Sequence, residues 1–304
     1  MQYKKLILSE IEFTRTFRLI AQAYEEIAVM KMRKVRGSVL KTREYLVKLS
    51  DVFFDVKKAH KRYQELMKKM KANSVKKAPA TIIKIKQTPV KIKKPTVSVF
   101  LSANTSLYGD LIARIFRLFL EKSQKDNSDI IIIGRVGRRL YDESEHKKKY
   151  LYFELPDENI TLESLKPVIY HLVEYQSILV YYGKFENMIN QSASVSNVSG
   201  DQPYSTSPEE KDNKKSLGLN FLFEPSLETI LLFFEDLIAS SLFRQTVHET
   251  QLARLASRVM SMEQAQQNIT QQMKKLRFSQ IKINRLDQQK KQLERLSGIS
   301  LWNR

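Results

Sequence analysis

The sequence predicts an α/β protein in which two long helices, one from each end of the chain, form an antiparallel coiled coil around a small inserted α/β domain. Three observations carry this expectation. Apolar residues recur at three- and four-residue spacing over about 70 residues at each end of the chain. Between those ends, short apolar runs alternate with helical patterns, as in a mostly parallel sheet. Glycine is scarce, with 8 in 304 residues, which disfavours tight hairpins and glycine-rich phosphate loops and leaves helix as the dominant element.

The first helix is expected over residues 1–70. Its stripe runs through Phe13, Phe17, Ile20, Tyr24 and Ile27 and resumes at Val52, Val56, Tyr63, Leu66 and Met70. Only Gly37 interrupts it, and a helix of that length needs a partner helix to bury its stripe. Residues 71–95 read as a basic linker, with Pro79, Pro89 and Pro95 and one edge strand in TIIKIK at 81–86. The inserted domain is expected over 96–225. Its strands are TVSVFLS (96–102), DIIIIG (129–134), YLYFEL (150–155) and SILVYYGKF (177–185). Helices at 107–124 and 161–175 connect them, and a charged loop follows the second strand. This strand–helix alternation is Rossmann-like. Residues 190–216, rich in Ser, Asn, Asp and Pro, are expected to be a flexible polar loop, followed by a short strand in LNFLFEP at 219–225. The second long helix takes 226–304. Its apolar positions include Leu227, Ile230, Leu231, Phe234, Leu237 and Ile238, then Leu252, Leu255, Val259, Met262, Ile269, Met273, Leu276 and Leu286. Gly298 stands where a helix stop is expected.

The net charge is +19, and it is unevenly spread: between Lys57 and Lys94 there are fourteen Lys or Arg against one acid, Glu65. Such a run is a solvated helix end and linker, or a face for an anionic partner. Tyr63 is its only aromatic residue, so the base-stacking pattern of a nucleic-acid binder is thin. With no cysteine there is no disulfide framework, thiol chemistry or Cys-ligated metal. The N-terminus lacks the pattern of a signal peptide, and no apolar run spans a bilayer, so the chain is expected to be soluble or peripheral to a membrane. GRVG at 134–137 lacks the third glycine of a dinucleotide loop, and no Walker-type loop occurs. His60, His146, His171 and His248 have no metal-site spacing. The acid pairs Asp126/Asp129 and Glu143/Glu145 have no accompanying nucleophile or base. No catalytic, cofactor or metal residue is therefore expected.

Several strings, in order and at matching spacing, resemble one family. AVMKMRKVR (28–36) is similar to its A-A-A-K-M-R-K-A-Q, and SANTSLYGD (102–110) to its S-D-x-G-L-C-G-G, with Leu107 and Gly109 retained. IIIIGRVG (130–137) resembles its strand followed by G-R-K-G, YYGKFENMINQ (181–191) its Y-x-K-F-x-N-x-x-x-Q, and LFEPS (222–226) its Y-E-P. One ungapped register then holds through Glu249, Arg258, Met262, Ala265, Asn268, Leu276, Glu294 and Gly298. The chain thus resembles the gamma subunit, or central shaft, of F-type rotary ATP synthases, as a divergent member.

The departures fall at the family's partner contacts. Its I-T-K-A-M-K-M-V stands here as Ile20 to Ile27, without either methionine or the Thr-Lys pair. Its Arg-Gln pair falls on Asn284 and Arg285, its Asp on Asn104, and the loop 192–216 is longer and more polar. The resemblance implies that ATP chemistry belongs to a ring of three alpha and three beta subunits, with an epsilon-like subunit and a membrane rotor ring as further partners. It places the chain peripherally on the cytoplasmic side of the cell membrane, with no span of its own. Arg33, Lys34, Arg36, Arg258, Asn284 and Arg285 are the partner contacts it suggests. Two alternatives remain at this point. One is the shaft of a related motor that drives another machine, such as mollicute gliding, on a motility scaffold. The more distant one is a basic coiled-coil adaptor for nucleic acid or protein.

Overall fold

The computed structural model describes residues 2–73, 94–123, 128–145, 148–199 and 227–302. Helix α1 spans Gln2–Asn73 and helix α5 spans Leu227–Trp302. Between them lie β1 (Lys94–Leu101), α2 (Leu111–Ser123), β2 (Asp129–Ile133), α3 (Arg135–Asp142), β3 (Tyr150–Phe153), α4 (Leu162–Leu172), β4 (Tyr175–Phe185) and β5 (Gln191–Asn197). The chain divides into two compact units. The first comprises residues 1–33, 107–109 and 255–304, and the second comprises 34–106 and 110–254.

The second unit is built on a five-stranded sheet of order β3-β2-β1-β4-β5. The pairs β1–β2, β2–β3 and β1–β4 are parallel, and β4–β5 is antiparallel. The central strands are apolar at nearly every position because both faces are covered. On one face Val97, Val99, Leu101, Ile131, Ile133 and Val180 pack with Leu165, Val168 and Leu172 of α4, and the same cluster takes in Leu46, Leu49 and Phe53 of α1 and Ile238, Leu242, Phe243 and Val247 of α5. On the other face Phe100 stacks on Phe119 of α2 at 5.4 Å, and Tyr181 meets the same ring edge-on at 5.3 Å. Thr161 caps α4, its hydroxyl accepting from the Ser164 N–H at 3.3 Å.

In the first unit, α1 and α5 meet along a seam that mixes apolar, small and polar residues. On α1, Ile7, Thr14, Ala21 and Ala28 are buried. On α5, Val259 and Met273 are buried, and Gln266 between them donates to Glu25 of α1.

Four expectations are corrected. The first part of the expected stripe on α1 is not its packed face, although Val56 further along is buried. Phe13 is 65% and Phe17 50% exposed, and Ile20, Tyr24 and Ile27 are exposed as well. The buried positions in this stretch lie one residue further on, at Thr14, Ala21 and Ala28. The segment after β2, expected as a loop, is helix α3; only Gly137 and Tyr141 of it are buried, too few to show a period. Residues 191–197, expected in a flexible loop, form the edge strand β5, paired from Phe185↔Gln191 to Leu179↔Asn197. The turn before β5 is closed by Asn187, whose side-chain oxygen accepts from the N–H groups of Ile189 and Asn190. Helix α5 continues through Gly298 to Trp302, so that glycine does not stop it. The strands expected at 81–86 and 219–225 lie outside the described residues.

Candidate functional site

In open α/β sheets, ligands bind at the carboxyl ends of the parallel strands. Here the loops at those ends are tied to one another and to α5. The carboxylate of Asp157, in the loop after β3, accepts from the Asn104 N–H at 3.0 and 3.1 Å, from the Thr105 N–H at 2.9 Å and from the Thr105 hydroxyl at 2.9 Å. Arg254 of α5 donates to the same carboxylate at 3.0 Å and to the Ser102 carbonyl at 2.8 Å. Gln251, one turn earlier, donates to the Asp157 carbonyl at 3.0 Å. The Asn104 amide closes the loop, donating to the Leu155 carbonyl at 2.6 Å while its oxygen accepts from the Arg135 N–H at 3.0 Å. The pair is deeply buried, the Arg254 side chain being 6% and that of Asp157 12% exposed.

The glycines of GRVG serve packing. Gly134 has φ +100°, and a Cβ there would stand 2.9 Å from the Ala103 backbone. A Cβ on Gly137 would stand 2.6 Å from the Ser102 Cβ. Both glycines bring α3 against the loop after β1. Among the described residues, no group of three or more acids and histidines is placed to hold a metal ion.

Perturbed titrating groups lie on α5 and at the sheet. Burial, aided by Arg244, pushes the His248 pKa down. Burial pushes Glu249 up against the pull of Arg43 and Lys184. Tyr175 is pushed up to about 12, chiefly by burial and then by its hydrogen bond to Asp129.

The six residues expected at partner contacts stand on the two long helices. Arg33, Lys34 and Arg36 are exposed on α1, with Lys34 donating to Asn159 at 3.3 Å. Arg285 is exposed on α5 and Asn284 half-buried. Arg258 is buried, its guanidinium 4.2 Å from the centre of the Tyr108 ring, and Ser257 beside it donates to the Tyr108 carbonyl at 2.7 Å. Sequence reasoning missed the Arg254–Asp157 pair. Its one visible signal is a charge in the otherwise apolar run from Leu252 to Ala256.

Two terminal helices of more than seventy residues bracketing a five-stranded, mostly parallel α/β unit define a class, that of the ATP synthase central stalks. The family model described as ATP synthase matches residues 4–293, and the chain belongs to that family. Among its relatives are ATP synthase gamma chains of Mycoplasmopsis pulmonis, 23% identical with 82% of this chain and 81% of the relative covered, and of Bdellovibrio bacteriovorus, 22% identical with 97% and 96% covered. A chain of the Euglena gracilis mitochondrial ATP synthase in rotational state 3 shares the fold with a TM-score of 0.62 at 13% identity, over 98% of this chain and 94% of that one. A chain from the Tetrahymena thermophila central stalk and c-ring structure matches with a TM-score of 0.52 at 17% identity, over 81% and 99%. The chain is thus a gamma-type subunit of the ATP synthase central stalk, and these relatives do not favour the gliding-motor alternative. No described helix is long and apolar enough to cross a membrane.

Proposed function

We infer that the chain turns as the shaft inside a ring of alternating alpha and beta subunits, with an epsilon-like subunit and a membrane rotor ring at its other end, on the cytoplasmic side of the membrane. One observation carries this reading: the stripe of large apolar residues on α1 that faces outward. Leu6, Phe13, Phe17, Ile20, Tyr24 and Ile27 are exposed on α1, and Phe278, Ile281, Leu286 and Leu293 on α5. A lone helix pair in water does not gain from presenting such a surface, whereas a hydrophobic bearing does.

An axle needs no reactive group. A shaft whose faces differ presents a different surface to each surrounding subunit, and each subunit settles in the state that its own surface favours. ATP turnover in the ring and rotation of the shaft are then two readings of one coupling free energy. Arg33, Lys34, Arg36 and Arg285 suit polar contacts beside the apolar stripe, with Asn284 at its margin. Arg258 acts from within, holding the loop at Tyr108 against α5. The exposed Lys57, Lys58, Lys61 and Arg62 suit the acidic groups of a docking partner beyond the ring.

The test is co-purification of the tagged chain from its native cell. Alpha and beta subunits are expected with the parent chain. With Phe13→Gln, Phe17→Gln and Ile20→Gln together, the isolated chain keeps its melting temperature while recovery of those subunits falls at least about tenfold, a loss of roughly 1.4 kcal/mol. Recovery of the parent chain without alpha and beta subunits overturns the reading.

A further inference from the structure

We propose that Arg254 and Asp157 are positioning residues that set the rotational angle of α5 about its own axis on the α/β unit. Where α5 passes Gly183 of β4 the contact is smooth. A Cβ built on Gly183 would find the methyl of Ala253 at 3.5 Å, with only the tips of Leu111 and Ile115 closer. The apolar contacts from Ile238 to Val247 hold the helix against the sheet, but burial of apolar surface has no direction and resists separation far better than rolling. Hydrogen bonds do have direction, and they fall steeply when misaligned.

The latch concentrates them at one azimuth. Gln251 and Arg254, three residues apart and so on one face of α5, both grip Asp157, one at its carbonyl and the other at its carboxylate. Arg254 also holds the Ser102 carbonyl at the end of β1. Asp157 is itself fixed by two backbone N–H groups and a hydroxyl in the loop after β1. A roll of the helix by a fraction of a turn breaks the Gln251 and Arg254 contacts together, with the buried charges then unpaired. In the shaft reading, on which only this consequence rests, twist arriving along α5 is delivered to the sheet instead of being lost as roll.

The native chain has no cysteine, so nitroxide labels enter only where they are placed. Arg244→Cys on α5 and Lys166→Cys on α4 are both exposed and both within the second unit. Pulsed electron resonance on the full-length chain is expected to give one narrow distance. Combining Arg254→Met with Asp157→Asn removes both charges at similar volume and keeps an oxygen that accepts from the loop after β1, an exchange that is often neutral for stability. In that background the melting temperature is expected to stay close to the parent's while the distance broadens into several populations. Arg254→Lys, which keeps the charge but not the paired geometry, is expected to fall between the two. Asp157→Asn is the milder variant should the double substitution fold poorly, and it too is expected to broaden the distribution. A distribution as narrow as the parent's in these variants overturns the proposal. Absence of alpha and beta subunits from the co-purification overturns the shaft reading alone, because the distance measurement is made on the free chain.

Discussion

Asp157 gathers four donors from the loop after β1 and from α5, and Arg254 is the only one of them carrying charge. Asp157→Ala leaves that guanidinium buried without its counter-ion, and a loss of about 3–5 kcal/mol is expected in denaturant unfolding of the chain. Gly137→Ala forces a methyl to within 2.6 Å of the Ser102 Cβ and 2.9 Å of the Phe100 ring, with an expected cost of about 1–3 kcal/mol. His248 has the opposite pH signature to Glu249. Its folded pKa is depressed, so its contribution is present above the unfolded value of about 6.5 and is lost as pH falls through the folded one. Acidification from neutrality is expected to destabilise the parent more than His248→Gln, measured as melting temperature against pH. Glu249, with its folded pKa raised, contributes stability at acid pH that is lost as pH rises through its folded value. At Tyr175 the folded value of about 12 predicts a loss of stability between roughly pH 10 and 12, which Tyr175→Phe removes.

At the scale of elements, the seam between α1 and α5 depends on small residues. Ala21 is buried there, whereas Ala23, two residues on, is exposed. Ala21→Leu is expected to cost about 1–3 kcal/mol in thermal unfolding followed by helix signal, and Ala23→Leu to stay within about 0.5 kcal/mol. The same contrast explains what the sequence made legible. Both long helices, the four parallel strands and the helices α2 and α4 announce themselves through runs of apolar residues at clear periods. The packed side of α1 does not, because Thr14, Ala21 and Ala28 are less hydrophobic than the outward Phe13, Phe17 and Ile20. A periodicity argument selects the oilier stripe, and here that stripe faces outward. Helix α3 and strand β5 stayed hidden for a related reason: α3 buries one glycine and one tyrosine, and β5 is a serine-rich edge held mainly by its backbone pairing with β4. The latch was illegible because its partners lie 97 residues apart and meet only after both the sheet and α5 have formed.

For the whole molecule, the distribution of chemistry is the informative feature. Buried polar groups are spent on joining elements, as at Asp157, at the Ser98–Ser128 hydroxyl pair and at Tyr175 with Asp129. The isolated chain is accordingly expected to turn over no ATP, and its melting temperature to stay unchanged on adding ATP and magnesium, since a ligand that binds the native state raises it. A clear upward shift in a thermal melt would disprove this.

On α1 the buried positions of the first unit, Ile7, Thr14, Ala21 and Ala28, repeat every seventh residue. A strict seven-residue repeat winds a helix pair into a left-handed rope. A rope has a lay, and twisting it with the lay tightens it while twisting against the lay opens its strands. The compliance of this segment therefore depends on the sense of the applied turn, so energy stored during one direction of rotation differs from that stored during the reverse.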